Sequence, residues 1–236
     1  MNRQRKTLII IALCAASFMG MGSLALSSGL AYIQQEFADV DIIWIQLLVT
    51  GAVLMQVPVS LFASWFCTRF SRRSLILFSV CMFLFCGVTP FFLHNFTIIL
   101  VLRILYGTAV GLGPTVASSL VFQLFIDNNE RSRVVGLTGA FAMLGGMYYT
   151  LVGGLLSEIG WQYCFLSYLI GVPILILAFL FLPKDSELTA INESPTQPEI
   201  KAVYRIKPEV IWIAFLFLIY FTLYFAYTNN ISAFVL

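Results

Sequence analysis

The sequence predicts an all-α polytopic membrane protein, and two observations carry that prediction. Hydrophobic residues make up 60% of the 236-residue chain and charged residues only 10%, which is far less charge than a water-soluble surface requires. Apolar runs recur along the chain at the length that a helix needs to cross the hydrocarbon core of a bilayer, about 20 residues. Ten-residue segments of alternating hydrophobicity, typical of a transmembrane β-barrel, are not found.

The apolar runs predict seven spans. Their predicted limits are 7–32, 43–66, 74–93, 97–125, 134–157, 163–183 and 210–231. Span 1 follows a basic start, as the apolar core of a secretory signal does, but no charged residue occurs from Thr7 to Gln35. Because that run is too long for a signal peptide, we expect an uncleaved first helix.

The distribution of charge and proline divides the chain into three parts. Residues 184–209 are rich in charged residues and prolines and lack apolar periodicity, which predicts a cytoplasmic linker. Residues 1–183 are therefore expected to form a six-helix transporter bundle. Residues 210–236 are expected to contain the first helix of an incomplete C-terminal bundle.

The basic residues predict the orientation of the spans. Of the 13 Lys and Arg residues, all except Arg103 lie at the N-terminus or after spans 2, 4 and 6, and the alternate connections 33–42, 94–96 and 158–162 contain none. Since Lys and Arg are enriched in cytoplasmic loops, we predict a multi-pass protein of the plasma membrane with a cytoplasmic N-terminus. The net charge of +2 gives no reason to expect a nucleic acid as a partner.

Residue types that carry enzyme chemistry are not arranged as a site. The five cysteines show no metal-ligand spacing, and the lone His94 falls in an outer turn. No nucleophile–base set and no carboxylate pair occurs in a plausible position. We therefore expect that the protein is not an enzyme and that it uses no cofactor or metal.

An arginine interrupts the fourth apolar run. A charged side chain at the centre of a membrane helix costs about 2.5–3.5 kcal/mol, so Arg103 should face protein or a water-filled cavity. At about 100° per residue, Gly107, Gly111, Pro114 and Ser118 fall on the same arc of the helix. The two glycines allow a neighbouring backbone to come close, and proline is tolerated beside cavities. We predict a transport pathway along this arc; an arginine bonded to carbonyls for packing alone is the alternative.

Arg103 has no obvious counter-ion, because no Asp or Glu lies within the seven predicted spans. Its partners are expected to be polar neighbours such as Tyr106 together with backbone carbonyls, an anionic substrate, or a carboxylate in another part of the protein.

A weak internal repeat relates spans 1–3 to spans 4–6. GMGSLALSS at 20–28 and GLGPTVASS at 111–119 share a G-x-G and a later Ser-Ser pair, although matches between small residues also arise by chance. Because three is odd, two copies would cross the membrane in opposite directions, as in many secondary transporters. The predicted fold is therefore a six-helix bundle of two inverted three-helix repeats plus one extra transmembrane helix.

Two further motifs accompany the arginine. SWFCTRFSRR, residues 64–73, is similar to the pattern G-x-L-x-D-R-x-G-R-R, with Arg69, Arg72 and Arg73 at the arginine positions and Thr68 in place of the aspartate. Span 5 is similar to a glycine pattern found in exporters. Its matching residues are Gly136, Gly145, Gly153 and Gly154, whereas Tyr149 and Thr150 replace a Gly-Pro pair. Together with R-x-x-x-G-x-x-x-G at 103–111, these motifs resemble the major facilitator superfamily.

The resemblance implies alternating access, in which two six-helix bundles rock around a central site. It implies that the loop after span 2 helps to hold an inward gate, and we expect Arg72 to reach Asp127 or Glu130. Arginines that act only as topology anchors are the alternative. The exporter-like glycines lead us to prefer efflux to uptake, with simple helix packing as the alternative.

The candidate functional residues fall into three groups. The predicted substrate pathway comprises Arg103, Tyr106, Gly107, Gly111, Pro114, Ser118, Ser23, Ser27, Tyr149, Thr150 and Tyr224. The predicted gating residues are Arg69, Arg72, Arg73, Asp127 and Glu130, and the predicted packing residues are Gly136, Gly145, Gly153 and Gly154.

We expect a secondary active transporter, an antiporter that couples proton movement to efflux of a small lipophilic compound. The chain is expected to be truncated, with the lipid bilayer, a small-molecule substrate, and itself or a missing C-terminal half as partners. One alternative is an uptake carrier for a metabolite or organic anion that meets Arg103. Another is a non-transporting membrane protein that acts by helix pairing.

Overall fold

The structure of the chain, a computed structural model, describes residues 3–183 and seven positions between 212 and 223. Those seven positions are helical and exposed. The predicted linker, most of span 7 and the candidate pathway residue Tyr224 lie outside the described residues.

Within residues 3–183, six helical segments are long and apolar enough to cross a membrane, and they confirm predicted spans 1–6. Their limits are Gln4–Glu36, Ile42–Arg69, Arg72–Phe92, Phe96–Leu124, Asn128–Ile159 and Trp161–Phe181. The largest difference from the prediction is the start of span 5, which begins at Asn128 instead of Val134. Its first turns are polar and were not part of the apolar run, but Asp127 caps them by accepting a hydrogen bond from the Glu130 amide at 3.3 Å.

Spans 1 and 6 depart from regular α-helix in their middle or first half. Span 1 consists of α-helices Arg3–Phe18 and Leu24–Glu36, joined by the 3₁₀ turn Met19–Met21. Span 6 begins with 10 residues of 3₁₀ helix, Trp161–Ile170, and ends as α-helix Gly171–Phe181. Runs of 3₁₀ helix longer than about four residues are uncommon and often mark a functional position.

The remaining spans are mainly α-helical. Spans 2, 4 and 5 are single α-helices, Ile42–Arg69, Phe96–Leu124 and Asn128–Ile159. Span 3 is the α-helix Arg72–Val88 followed by the 3₁₀ turn Thr89–Phe92.

The spans pack in pairs that the predicted repeat relates. Span 4 packs on span 2 and on span 3, and span 1 packs on span 5 and on span 6. The predicted repeat relates span 1 to span 4, span 2 to span 5 and span 3 to span 6. It therefore relates the contact of spans 4 and 2 to that of spans 1 and 5, and the contact of spans 4 and 3 to that of spans 1 and 6. This arrangement is the one expected of two three-helix repeats.

Glycines on span 4 bring its backbone against span 2. A Cβ on Gly107 would collide with the carbonyl oxygen of Ala52, and a Cβ on Gly111 would lie 2.7 Å from the carbonyl oxygen of Gln56. The small-xxx-small spacing therefore produces the close backbone approach that it predicts.

Two of the four span 5 glycines make a similar approach to span 1. A Cβ on Gly145 would collide with the carbonyl oxygen of Phe18, and one on Gly153 would lie 2.6 Å from that of Ala25. The prediction of a packing role for Gly136 is corrected: it is exposed, and a Cβ added there would have no described atom within 4 Å. Gly136 lies in the first turns of span 5, before the helix meets span 1. Gly154 makes only ordinary contact with Ser28, at 3.6 Å.

Spans 2 and 5 are the least buried of these six spans. Their outward faces carry large apolar side chains such as Leu61 and Phe62 on span 2 and Met143 and Leu155 on span 5. The core of the bundle therefore lies on the opposite sides of these two spans.

We expect Gly107→Ala to lower the free energy of unfolding by about 1–3 kcal/mol, because the added methyl group overpacks the contact with Ala52. Gly136→Ala is the matched control; with no described atom to collide with, it should leave stability unchanged or raise it by up to about 1 kcal/mol, the difference in helix propensity. Thermal unfolding of both variants in detergent measures the difference; equal shifts would contradict the assigned helix contact.

Candidate functional site

Aromatic rings enclose Arg103 in the interior of the bundle. Its side chain is 1% exposed. The guanidinium carbon lies 4.8 Å from the centroid of the Phe165 ring, 5.0 Å from that of Tyr168 and 5.1 Å from that of Tyr106. Cation–π contacts of about 0.5–2 kcal/mol each offset part of the cost of burying the charge.

A chain of hydrogen bonds leads from Arg103 to span 1. The Nη1 group of Arg103 donates to the Tyr168 hydroxyl oxygen at 3.0 Å, and that hydroxyl donates to the carbonyl oxygen of Gly22 at 2.8 Å. Gly22 directly follows the 3₁₀ turn of span 1. One charged side chain on span 4 is thus connected through span 6 to the irregular part of span 1.

Two more aromatic residues complete the cluster around the arginine. Phe83 of span 3 packs against Tyr106, Tyr149 and Tyr168, with ring centroids 5.3, 6.3 and 5.5 Å apart. We call the set the Arg103 cluster; it comprises Phe83, Arg103, Tyr106, Tyr149, Phe165 and Tyr168. Together with Gly22, it joins five of the six spans.

Several polar atoms of the Arg103 cluster are buried without a hydrogen-bond partner among the described residues. They are Arg103 Nε and Nη2 and the hydroxyls of Tyr106 and Tyr149. Each unpaired buried polar group costs about 1–3 kcal/mol. The bonds that Tyr168 makes are therefore the main polar compensation for the buried arginine.

The structure separates the predicted pathway residues. Of the two surroundings expected for Arg103, protein or a water-filled cavity, it has the first. Its guanidinium lies inside the bundle, against the rings of Tyr106, Phe165 and Tyr168. Gly107 and Gly111 are covered by the backbone of span 2. Ser118 is exposed and donates to the Pro114 carbonyl oxygen at 2.9 Å. One helical arc therefore meets three different environments along its length.

The other predicted pathway residues also lie in different environments. In span 1, Ser27 is buried and Ser23 is half-buried. In span 5, Tyr149 is buried in the Arg103 cluster, whereas the adjacent Thr150 is exposed. Successive residues of an α-helix point about 100° apart, which places Tyr149 in the core and Thr150 on the exposed side of span 5.

An apolar groove of about 360 Å³ lies between spans 1 and 5. We call it the methionine groove; its lining residues are Met21, Leu24, Met143, Gly146, Met147, Thr150 and Leu151. Of the predicted pathway residues that the structure describes, only Thr150 lines it. Methionine side chains are flexible and polarizable and adapt to apolar ligands of different shapes.

Sequence reasoning missed the groove methionines. Met143 and Met147 are one helical turn apart and flank Gly146, a residue without a side chain to fill the groove. That spacing was the available signal, but it fits a lipid-facing surface equally well. Only the packing of span 5 against span 1 shows that Met21 faces the same space.

The basic end of the bundle, where the N-terminus and Arg72 lie, has contacts different from those predicted. Arg72 donates through Nη1 to the side-chain oxygen of Gln123, and Glu130 forms an ion pair with Lys6 at 3.0 Å. The expected contact of Arg72 with Asp127 or Glu130 is therefore wrong for this structure. Asp127 caps span 5, and Glu130 is paired with Lys6. Gln123, at the end of span 4, is the residue that accepts the hydrogen bond from Arg72.

The other two gating candidates lie on neighbouring spans. Arg73 donates to the carbonyl oxygen of Phe179 at 2.6 Å and so ties span 3 to span 6. The guanidinium of Arg69 lies over the Trp65 ring, 5.9 Å from its centroid. A role of these arginines in gating stays a prediction.

Comparison with known proteins decides the family. The model of the Major Facilitator Superfamily matches residues 10–236, nearly the whole chain. The chain belongs to the major facilitator superfamily. It is therefore a multi-pass membrane protein of a transporter family, as its motifs indicated.

Three curated proteins are among those similar to the chain. It is 30% identical to the probable transporter AQR1 of Saccharomyces cerevisiae over 53% of the chain and 22% of that protein. It is 27% identical to the MFS-type transporter YhcA of Bacillus subtilis over 75% of the chain and 34% of that protein. Monosaccharide-sensing protein 3 of Arabidopsis thaliana is 23% identical over 76% of the chain and 26% of that protein.

The fold is shared with a solved member of the superfamily. A crystal structure of a bacterial homologue of the human lysosomal transporter Spinster, inward-facing and unoccupied, aligns with a TM-score of 0.61 and 17% identity. The alignment covers 86% of this chain and 47% of that one. The chain spans about a third or less of the length of the curated relatives it matches.

We expect two tyrosines of the Arg103 cluster to respond oppositely to removal of the hydroxyl. Tyr168→Phe should lower the free energy of unfolding by about 1–3 kcal/mol, because it leaves a buried N–H of Arg103 unpaired. Tyr106→Phe removes a hydroxyl that has no partner among the described residues and should leave stability unchanged or raise it. Thermal unfolding in detergent tests both; a larger loss for Tyr106→Phe would contradict the assigned bonds.

Proposed function

We propose that the chain is part of a secondary active transporter that exports neutral, lipophilic small molecules, and that the methionine groove forms part of the substrate pathway. The observation that carries the proposal is that the apolar groove and the charged residue of the bundle interior lie in separate places. The groove is lined by apolar side chains, glycine and one threonine, whereas the single charged residue within the predicted spans, Arg103, is enclosed. A neutral, lipophilic substrate makes few hydrogen bonds with water, so it gives up few hydrogen bonds when it binds such a surface.

The burial of Arg103 argues against the alternative of an anion carrier. An anion would have to reach the guanidinium, but three rings surround it and its Nη1 group is bonded to Tyr168. Exposing the guanidinium to a substrate would separate spans 4 and 6. The geometry therefore favours substrates that need no cationic partner.

The span 5 glycines support efflux. In the exporter-like pattern, Gly145 and Gly153 are the residues that bring span 5 against the backbone of span 1. The groove lies along this contact, and Gly146 forms part of its wall. Two of the four glycines that resemble the exporter pattern, Gly145 and Gly153, thus hold together the two spans between which the groove lies.

The remaining parts of the proposal concern energy and location. We propose coupling to a proton gradient and a plasma-membrane location with the basic end in the cytoplasm. The orientation is supported by the Lys and Arg residues: except for Arg103, all lie at the N-terminus or in the connections after spans 2, 4 and 6. The partners are the bilayer, the substrate and either a second copy of the chain or a C-terminal half.

Inside-out membrane vesicles that contain the chain test the substrate class. We expect saturable, energy-dependent accumulation of the neutral lipophilic dye Nile red and none of the anion carboxyfluorescein. A protonophore should abolish the accumulation of Nile red. Accumulation of carboxyfluorescein that depends on Arg103, or no energy-dependent movement of Nile red, would contradict the proposal.

Truncating two groove side chains tests the pathway. We expect the double variant Met143→Ala, Met147→Ala to raise the KM for Nile red about 3- to 10-fold, because each substitution removes apolar contact area. Phe85→Ala is the control, since Phe85 is an exposed apolar residue of span 3 that does not line the groove. Equal effects of the two substitutions on KM would place the substrate elsewhere.

A further inference from the structure

We propose that Tyr168 is a positioning residue for the methionine groove. Its hydroxyl links Arg103 to the carbonyl oxygen of Gly22 and thereby holds the 3₁₀ break that orients Met21 and Leu24. The proposal rests on the proposed function, because it concerns the shape of the same groove. It assigns a transport role to a residue that does not line the groove.

The backbone of span 1 has 3₁₀ hydrogen bonds on both sides of Gly22. The amide of Gly22 donates to the Met19 carbonyl oxygen at 3.0 Å, and the amide of Ala25 donates to the Gly22 carbonyl oxygen at 3.2 Å. These bonds connect residues three apart, as in a 3₁₀ helix, whereas an α-helix connects residues four apart. The second lone pair of the Gly22 carbonyl oxygen accepts the hydrogen bond from Tyr168 at 2.8 Å.

The break determines which way the following side chains point. A 3₁₀ helix turns about 120° per residue and an α-helix about 100°, so three residues of 3₁₀ winding rotate the rest of span 1 by about 60° relative to a continuous α-helix. Met21 lies at the end of the break and Leu24 begins the next helix. Both line the groove, so its wall on span 1 depends on the winding of the break.

The 3₁₀ winding of span 6 determines the direction of Tyr168. Phe165 and Tyr168 both lie in the 3₁₀ segment Trp161–Ile170. Residues three apart in a 3₁₀ helix project in the same direction, and both rings contact the guanidinium, at 4.8 and 5.0 Å. In an α-helix the same two residues would point about 60° apart. The contacts with Arg103 therefore favour the winding that aims the Tyr168 hydroxyl at Gly22.

The surroundings of Gly22 are tightly packed. A Cβ at Gly22 would collide with the Tyr106 hydroxyl and lie 3.1 Å from the Phe83 ring. Because close-packed interiors transmit displacement, a shift of the Arg103 cluster cannot be absorbed at this point. It is passed to Met21, the adjacent residue.

Two measurements on the full chain in lipid nanodiscs and vesicles test the proposal. Tyr168→Phe keeps the ring and its contacts with Arg103 but removes both hydrogen bonds. Tyr163→Phe is the control, because Tyr163 lies on the same span, is 39% exposed and contacts the Phe91 ring at the other end of the 3₁₀ segment. The first measurement is methyl NMR of the methionines, with the Met21 signal assigned from Met21→Leu.

We expect Tyr168→Phe to move the Met21 methyl resonance and to leave that of Met82 on span 3 in place. The KM for Nile red should rise about 2- to 10-fold, the effect of losing one or two net hydrogen bonds, with the maximal rate per folded protein nearly unchanged. A purely structural role would instead lower the amount of folded protein with KM unchanged. An unmoved Met21 resonance, or a KM equal to that of Tyr163→Phe, would overturn the proposal.

The NMR measurement also separates this proposal from the proposed function, because it requires no substrate. If the wild-type chain does not transport Nile red, the proposed function fails and the Met21 resonance alone decides the positioning role. If Tyr168→Phe is not recovered folded, Arg103→Met is the second variant. It removes the donor that orients the Tyr168 hydroxyl and should move the Met21 resonance in the same direction; no movement would overturn the proposal.

Discussion

A buried guanidinium in an apolar bundle needs compensation from its neighbours, and this need organises much of the structure. Arg103 is surrounded by three rings and bonded to one hydroxyl. Two of these rings come from span 6, whose 3₁₀ winding places them on the same side. The bonded hydroxyl continues to span 1. A single charge thus determines how spans 1, 4 and 6 fit together.

The same enclosure separates charge from substrate. Because the guanidinium is directed into the core, the surface between spans 1 and 5 is left to methionines, leucines, glycine and threonine. The close contact of these two spans depends on Gly145 and Gly153. The buried cluster and the exposed groove meet at residues 21 and 22, where the carbonyl bonded by Tyr168 is next to a groove methionine. Structural and transport roles are therefore carried by neighbouring residues.

The sequence predicts some of these features well, for clear physical reasons. Six spans follow from the minimum length of an apolar helix in a bilayer, and the close approach at Gly107 and Gly111 follows from their spacing. Tyr106, one helical turn from Arg103, was expected among its partners, and its ring contacts the guanidinium. The hydrogen-bond partner Tyr168 could not be predicted, since it is 65 residues away and its direction depends on 3₁₀ winding. The groove was hidden because an apolar residue facing a substrate and one facing lipid look alike in sequence. Arg72 was assigned a carboxylate partner from the gate that the family resemblance implies, but it donates to Gln123 instead.

The most direct test of the enclosure of Arg103 is its own Nε–H signal in the ¹⁵N-arginine-labelled chain in nanodiscs, assigned from Arg103→Lys. Enclosure by three rings predicts that ring currents shift this proton signal upfield. It also predicts that the proton exchanges with water much more slowly than the corresponding proton of the exposed Arg69. An unshifted signal that exchanges as fast as that of Arg69 would show that the guanidinium reaches water, and the arrangement of core and groove described above would be wrong.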